Sequence, residues 1–281
     1  MDIPHTPELF TERTPRIVAA AKLHRAAARR KAQRFLAEGE NAVSAALSYG
    51  SVVEVFATPA AAERFGNVLR GSDVPLSLIT DRAVERLSET VHSTGLFALC
   101  RFQLRPAGDI LPGSRLLSIA VETAEPGNAG TLIRVSDACG ANGVIFTGSS
   151  VDPLGGKAVR ASAGSVFHLP VAREDDVAET IAQLKQEGLV VLATAMRGDC
   201  SLDELSREAG REGVSRPLLT QRTAWLFGNE AHGLGDWLDL ADVRVSIPMY
   251  GRAESLNLAT AASICLYESA KAHHRAPSAG D

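Results

Sequence analysis

The feature that most constrains this chain is a series of six short apolar runs between residues 116 and 248, separated by stretches with helical spacing. They are LLSIAVE (116–122), GVIFTG (143–148), VFHLPV (166–171), LVVLAT (189–194), AWLFG (224–228) and VRVSIP (243–248). Short, nearly continuous apolar runs predict strands buried on both faces. Helices are expected between most of them, at about 128–140, 156–164, 175–187 and 255–271. Strands alternating with helices imply an α/β fold built on a mainly parallel sheet. Ligands of such sheets sit beyond the carboxyl ends of the strands. Three loops there draw attention: ETAEPGNAG after the first run, GNEAHGLG after the fifth and PMYGRAESLN after the sixth.

The N-terminal part reads differently. Between Arg13 and Arg34 stand eight Lys/Arg residues and no acidic one. The Ala-rich stretch 14–32 predicts one helix, with Lys22, Arg25 and Arg29 on one face. A basic block suits a polyanion, and a solvated helix face explains it as well. The runs FLAEG, VVEVFAT, LSLIT and LFALCRF predict strands, with helices at about 40–48, 59–70 and 81–89. The expected division is a basic helical arm (1–32), a small α/β domain (33–105), a linker (106–114), a second α/β domain (115–271) and a disordered tail (272–281). The charged, Gly-rich stretch 196–222 reads as a mobile loop.

Several chemistries find no support. Cys100, Cys139, Cys200 and Cys265 form no CxxC pair, which disfavours zinc or redox motifs and suits reduced thiols. The seven His residues lack metal-ligand spacing: His168 falls in an expected strand, His273 and His274 in the tail, and His232 in a Gly-rich loop. No GxGxxG turn follows a strand, and LGGKA (154–158) lacks both the first Gly and the Ser/Thr of a phosphate loop. No GxSxG elbow is present. MDIPHTPELF does not resemble a signal peptide, and no apolar run approaches the roughly 18 residues of a membrane span, so a cytoplasmic protein is expected. With aromatics at 5%, base stacking is not expected to be the main binding device.

In the first loop Asn128 can cap a helix, and Gly130 and Arg134 share a face at i, i+4. In the second, Gly228, Asn229 and Glu230 follow directly on a strand, as a turn close to a ligand would. In the third, Pro248 ends the strand, Gly251 bends the chain, and Ser255 or Asn257 starts an Ala-rich helix. Taken singly, each loop also fits plain capping, turning or packing. In this order, NxGxxxR at 128–134, GNE at 228–230 and IPMxGxxxSLNxAxAAxI at 247–264 resemble the three motifs of the SpoU/TrmH RNA 2′-O-ribose methyltransferases of the SPOUT superfamily. VRASAGSVFHLP (159–170) resembles a further family segment, and RRKAQRFLAEGENAVSAAL resembles the start of its accessory RNA-binding domain. The likeness covers about residues 15–270 and is greatest to ribosomal-RNA methyltransferases of the thiostrepton-resistance type.

That resemblance implies a C-terminal SPOUT domain with a deep trefoil knot, an N-terminal α/β RNA-binding domain, and a homodimer formed through the knotted domain. It implies S-adenosylmethionine as cofactor, held by the backbone at Gly228, Ile247 and Leu256. Arg134 becomes the leading catalytic residue, with Asn128, Glu230, Ser255 and Asn257 arranging it, the RNA or the cofactor. Lys22, Arg25, Arg29, Arg30 and Arg160 become candidate RNA contacts. Ribosomal RNA is the expected substrate. Transfer RNA, base methylation, and a non-catalytic RNA-binding protein of the same fold are the alternatives.

Overall fold

The computed structural model describes residues 9–211 and 213–275. They form two compact units, residues 9–103 with Leu154–His168, and Leu104–Pro153 with residues 169–275.

The first unit carries a four-stranded sheet of β1 (Arg34–Glu38), β2 (Val52–Ala57), β3 (Leu76–Leu78) and β4 (Leu96–Arg101), in the order β1-β4-β2-β3. Its first two neighbour pairs are antiparallel and the last is parallel. Helices α1 (Pro15–Ala21), α2 (Ala26–Ala32), α3 (Glu40–Ser48), α4 (Pro59–Arg64), α5 (Gly66–Leu69) and α6 (Asp81–Leu87) complete it. Ile17 and Ala20 of α1 share a core with Leu36, Phe56, Ile79, Ala83, Leu87 and Phe97. The stretch expected as a basic arm is therefore packed into this unit.

The single helix expected over 14–32 is broken. A 3₁₀ turn at Lys22–His24 follows α1, and Arg25 is extended (φ −92°, ψ 127°) before α2 begins. Leu23 and Arg29 both turn inward, and one continuous helix could not bury them and keep Lys22 and Arg25 outside. Lys22, Arg25 and Arg29 consequently share no face. Arg29 is only 4% exposed, and its Nη1 donates to the carbonyls of Leu23 (2.7 Å) and His24 (3.0 Å). It ties down the chain around the break, which overturns its reading as an RNA contact.

Leu154–His168 joins the first unit although its neighbours in sequence belong to the second. Here α8 (Gly156–Ala161) lies against β1, and Phe167 stacks on Phe35 with ring centroids 5.7 Å apart. The strand expected at 166–171 is instead a 3₁₀ turn at Ser165–Phe167, and the strand begins at Val171. His168 thus lies outside any strand, with its ring 4.8 Å from that of Tyr49.

The second unit is an eight-stranded sheet in the order β10-β12-β9-β11-β6-β7-β8-β5, and all its pairings are parallel. The strands are β5 (Leu104–Arg105), β6 (Leu116–Val121), β7 (Gly143–Thr147), β8 (Val171–Glu174), β9 (Val190–Thr194), β10 (Cys200–Ser201), β11 (Thr223–Phe227) and β12 (Val243–Ser246). Helices α7 (Pro126–Ala138), α9 (Val177–Gln186), α10 (Leu202–Ala209) and α11 (Leu258–Arg275) pack around it. Every residue of β6, β7 and β11 is buried, as strands covered on both faces require. Each edge strand has only two residues, which leaves little unpaired backbone.

Three expectations fail here. The expected linker is built into the unit: β5 pairs with β8, and Ala107, Ile110 and Leu111 are buried in the main core. The expected loop 196–222 contains β10, α10 and a 3₁₀ turn at Leu218–Thr220, and α10 opens with a reciprocal Ser201–Glu204 capping box. The expected disordered tail starts too early, because α11 continues to Arg275. Residues 276–281 lie outside the described residues. No described helix is long and apolar enough to cross a membrane.

Candidate active site

Strand order determines which loops meet. From β6 the sheet grows through β7 and β8 on one side, and β11 pairs on the other with Phe227 opposite Ala120. Neighbouring strands whose connections depart in opposite directions leave a crevice at their carboxyl ends. The loop after β6 and the loop after β11 both open there.

Glu230, in the loop after β11, closes the crevice. Its Oε2 accepts from the Ala124 amide (3.1 Å), and its Oε1 from the Glu125 amide (3.3 Å) and from Asn128 Nδ2 (2.9 Å). Asn128 Oδ1 in turn accepts from Asn257 Nδ2 at 3.0 Å. Asn257 Oδ1 accepts from the amides of Ala259 (2.9 Å) and Thr260 (3.4 Å), capping α11. One relay therefore runs from Glu230 through Asn128 and Asn257 to the start of α11, joining all three loops. Partial burial pushes the Glu230 carboxyl upward. The hydrogen bonds from Asn128 and from the Ala124, Glu230 and Glu125 amides outweigh it and hold the group below the usual carboxylate range.

Capping is assigned differently from expectation. Helix α7 begins at Pro126 with Glu125 as its N-cap, accepting from the Gly127 amide, so Asn128 lies within the first turn. Of Ser255 and Asn257, the structure chooses Asn257 to start α11. Ser255 is exposed in the loop before it. On α7 Gly130 is buried and Arg134 exposed, and the Arg134 guanidinium has no ion-pair partner among the described residues.

Asn229, noticed in the sequence only as part of GNE, proves to be a structural lock. Its Nδ2 donates to the carbonyl of Glu122 (2.6 Å), its Oδ1 accepts from the Ala231 amide (2.8 Å), and its backbone pairs with Gly233 in both directions. Glu122 itself adopts φ +53°, and His232 Nε2 lies 3.6 Å from its carboxylate. Gly228 fits into the same turn: a Cβ there would lie 2.3 Å from the Gly233 carbonyl carbon and 2.4 Å from the Leu234 nitrogen. Only glycine fits so close to backbone.

Gly228 follows β11 and Ile247 follows β12, and β9 lies between those two strands. Ile247 and Pro248 help line a cleft of about 460 Å³ with Leu202, Tyr250 and Ile264, while Gly228 and Leu256 are not among its lining residues. The Tyr250 hydroxyl donates to Asp203 at 2.5 Å across this cleft. Asp203, Ser206, Arg207 and Glu268 also line it, so its wall is part apolar and part charged.

The candidate RNA contacts fare unequally. Lys22, Arg25 and Arg30 are exposed and have no acidic partner among the described residues. Arg160 Nη1 is paired with Glu38 Oε2 at 3.0 Å, inside the first unit. It holds a carboxylate that is itself only 8% exposed, a role that spacing could not reveal.

Comparison with known proteins agrees with this geometry. Residues 115–267 match the SpoU rRNA Methylase family, and residues 14–98 match the MRM3-like substrate binding domain. The chain is 30% identical to the 23S rRNA (guanosine(2553)-2′-O)-methyltransferase RlmP of Bacillus subtilis, over 88% of this chain and 92% of that protein. The AdoMet-bound rRNA methyltransferase of Sinorhizobium meliloti superposes with a TM-score of 0.76 at 28% identity, covering 96% of this chain and 99% of that one. The SpoU methyltransferase AviRb of Streptomyces viridochromogenes, solved with AdoMet, gives a TM-score of 0.76 at 28% identity over 92% and 98% of the two chains. The relay among Asn128, Glu230 and Asn257 thus sits on the fold and sequence of a known group of enzymes, and the chain belongs to the SpoU rRNA methylase family.

Proposed function

We propose that the chain is an S-adenosylmethionine-dependent RNA 2′-O-ribose methyltransferase acting on ribosomal RNA of the 23S type. The observation that carries this is the relay that draws the NxGxxxR, GNE and SLN loops together at the carboxyl ends of β6, β11 and β12. Relatives named for an activity are 23S rRNA 2′-O-methyltransferases, which supports this reading.

The backbone at Gly228, Ile247 and Leu256 would hold S-adenosylmethionine, which supplies an electrophilic methyl group. The chain's own task lies at the nucleophile. A ribose 2′-hydroxyl is a poor nucleophile, so it must be oriented and its proton withdrawn. Glu230 is badly suited to withdraw it, because its carboxylate is already committed to three donors and held weakly basic. Glu230, Asn128 and Asn257 act instead as positioning residues that fix the start of α7. Arg134 extends from that helix as an exposed cation. It orients the 2′-hydroxyl and its neighbouring phosphate, or takes the proton as a deprotonated guanidine. Ser255, exposed beside the relay, is available to RNA or cofactor.

Lys22, Arg25 and Arg30 of the first unit contact RNA phosphates in this reading. A trefoil knot in the second unit is supported by the sheet order, in which β11 enters between β6 and β9 after both are laid down. A homodimer through that unit is supported by the exposed Ile264 and Tyr267 on α11. A cytoplasmic location follows from an RNA substrate of this class.

The deciding experiment has two parts. Total RNA incubated with the protein and labelled S-adenosylmethionine, then digested and sequenced, should carry one 2′-O-methyl mark. Arg134→Ala should abolish it while cofactor affinity stays within about twofold, as expected for loss of a group that acts at the transition state. A near-normal methylation rate in that variant sinks the assignment of Arg134, and label on a base sinks ribose methylation.

A further inference from the structure

At the end of the second unit's sheet opposite the relay lies a cleft of about 330 Å³, lined by Arg115, Gly188, Val190, Arg216, Thr220, Gln221 and Arg222. Arg115 directly precedes β6 and Arg222 directly precedes β11, so this is the amino end of the strands. With strands of five and six residues, it lies roughly 17–20 Å from the catalytic loops.

Three guanidinium groups share this cleft with no acidic side chain in its lining. None of the three has a carboxylate partner among the described residues. Arg222 is anchored: its Nε donates to the Ser114 carbonyl (2.8 Å), its Nη1 to Glu187 (2.8 Å) and its Nη2 to Leu111 (3.5 Å). Carbonyls fix the direction of that group without neutralising its charge. Arg115 and Arg216 are exposed, and their side chains make no hydrogen bond among the described residues.

The backbone around the cleft is shaped on purpose. Arg216 adopts φ +57°, a left-handed conformation that costs about 1 kcal/mol or more in a residue other than glycine. Gln221 Nε2 holds it there by donating to the Arg216 carbonyl at 2.9 Å. Gly188, with φ +77°, leaves the space beside Arg222 open. Three like charges brought together at such a cost are stabilised by an anion between them. Guanidinium groups lining one cleft without an acidic neighbour suit the oxygens of a phosphate, which planar N–H forks bind well.

We propose that the cleft formed by Arg115, Arg216 and Arg222 is a phosphate-binding site, distinct from the methyl-transfer site. Its occupant is a phosphate group, either a phosphodiester of the substrate RNA wrapping past the sheet or a free phosphate compound. The cleft stands independently of the methyltransferase reading, and only RNA as the source of the phosphate rests on it.

The test uses the full chain. His273 reports on the cleft: its Nε2 lies 3.1 Å from the Gln221 carbonyl, and its ring senses the charge of Arg115. Inorganic phosphate titrated at constant ionic strength should shift the His273 ring resonances saturably. The double variant Arg115→Gln, Arg216→Gln should abolish that shift, and its unfolding midpoint should not fall, because neither side chain has a partner to lose. Arg222 is left intact because it also holds the fold. In a second arm, RNA affinity is measured against salt for both proteins. A salt slope reduced by about one to two in the variant, with cofactor affinity unchanged, identifies an RNA phosphodiester. Loss of the phosphate response with an unaltered RNA slope identifies a free phosphate compound. No saturable shift in the native chain together with an unaltered RNA slope overturns the site. A chain that binds phosphate here but methylates no RNA would sink the functional reading and leave this one standing.

Discussion

Asn257 donates its side-chain amide to Asn128 Oδ1 at 3.0 Å, although the two residues are 129 positions apart. Asn128 can accept that bond only while its own Nδ2 points to Glu230, 2.9 Å away. Each asparagine is thus fixed in one orientation by the other's neighbour, and the start of α7 is fixed with them.

Asn128→Asp should be the most damaging near-isosteric change in the relay. It removes the donor and sets a second carboxylate against Glu230, where like charges repel. The displaced α7 should lower kcat by about a hundredfold, the cost of small misplacements near the chemistry. Steady-state methylation with a native circular dichroism spectrum checks this, and a loss under threefold would show that the relay is not needed.

Asn257 has two tasks that substitution can separate. Asn257→Ala loses both the α11 cap and the bond to Asn128, and should destabilise the protein by about 1 kcal/mol in urea denaturation. Asn257→Asp keeps the cap but cannot donate to Asn128, so it should retain stability and lose activity. If both variants keep their activity, Asn257 is only a cap.

Glu230 links the site to pH. Its folded carboxyl is depressed below the ordinary value of 4.5 by hydrogen bonds that outweigh partial burial. A depressed carboxyl contributes stability that is fully present above the unfolded value and lost as pH falls through the folded one. Glu230→Gln should therefore destabilise the protein at pH 7, and the difference from the native chain should shrink as pH drops below about 4.5. Paired denaturation curves at pH 7 and pH 3 decide it, because a difference that grows with acidity has the wrong sign.

The strands of the second unit were legible because both faces of β6, β7 and β11 are buried, which leaves unbroken apolar runs. The motif residues were legible by type and order. Their wiring was not, since nothing near Asn128 in sequence announces that Glu230 and Asn257 will meet it. Two errors share one physical cause. Val166 and Phe167 look like the start of a strand, yet Phe167 stacks on Phe35, 132 positions earlier and in the same first unit. Arg25 interrupts an Ala-rich stretch without Gly or Pro, because burial of Leu23 and Arg29 outweighs helix propensity there. In both cases burial of particular side chains overrode the local signal, through a distant ring for Phe167 and a local tie for Arg29.

Arg160 tests whether a distant partner also decides function. Its Nη1 pairs with Glu38, whose Oε1 accepts from Ser88 Oγ (2.7 Å) and Thr90 Oγ1 (3.3 Å). Removing the guanidinium leaves a nearly buried carboxylate with only hydroxyl partners. Arg160→Ala should then cost about 2–3 kcal/mol, somewhat less than a fully buried pair because the Arg160 side chain is 24% exposed. The double variant Arg160→Ala, Glu38→Gln should recover most of that loss, since no charge is stranded. A phosphate contact predicts the reverse pattern: Arg160→Ala would change stability by under about 0.5 kcal/mol and lower the salt slope of RNA binding by about one. Denaturation of the two variants beside an RNA titration separates these outcomes. The geometry favours the first, because an arginine already bonded to a buried carboxylate must strand that charge before it can reach a phosphate.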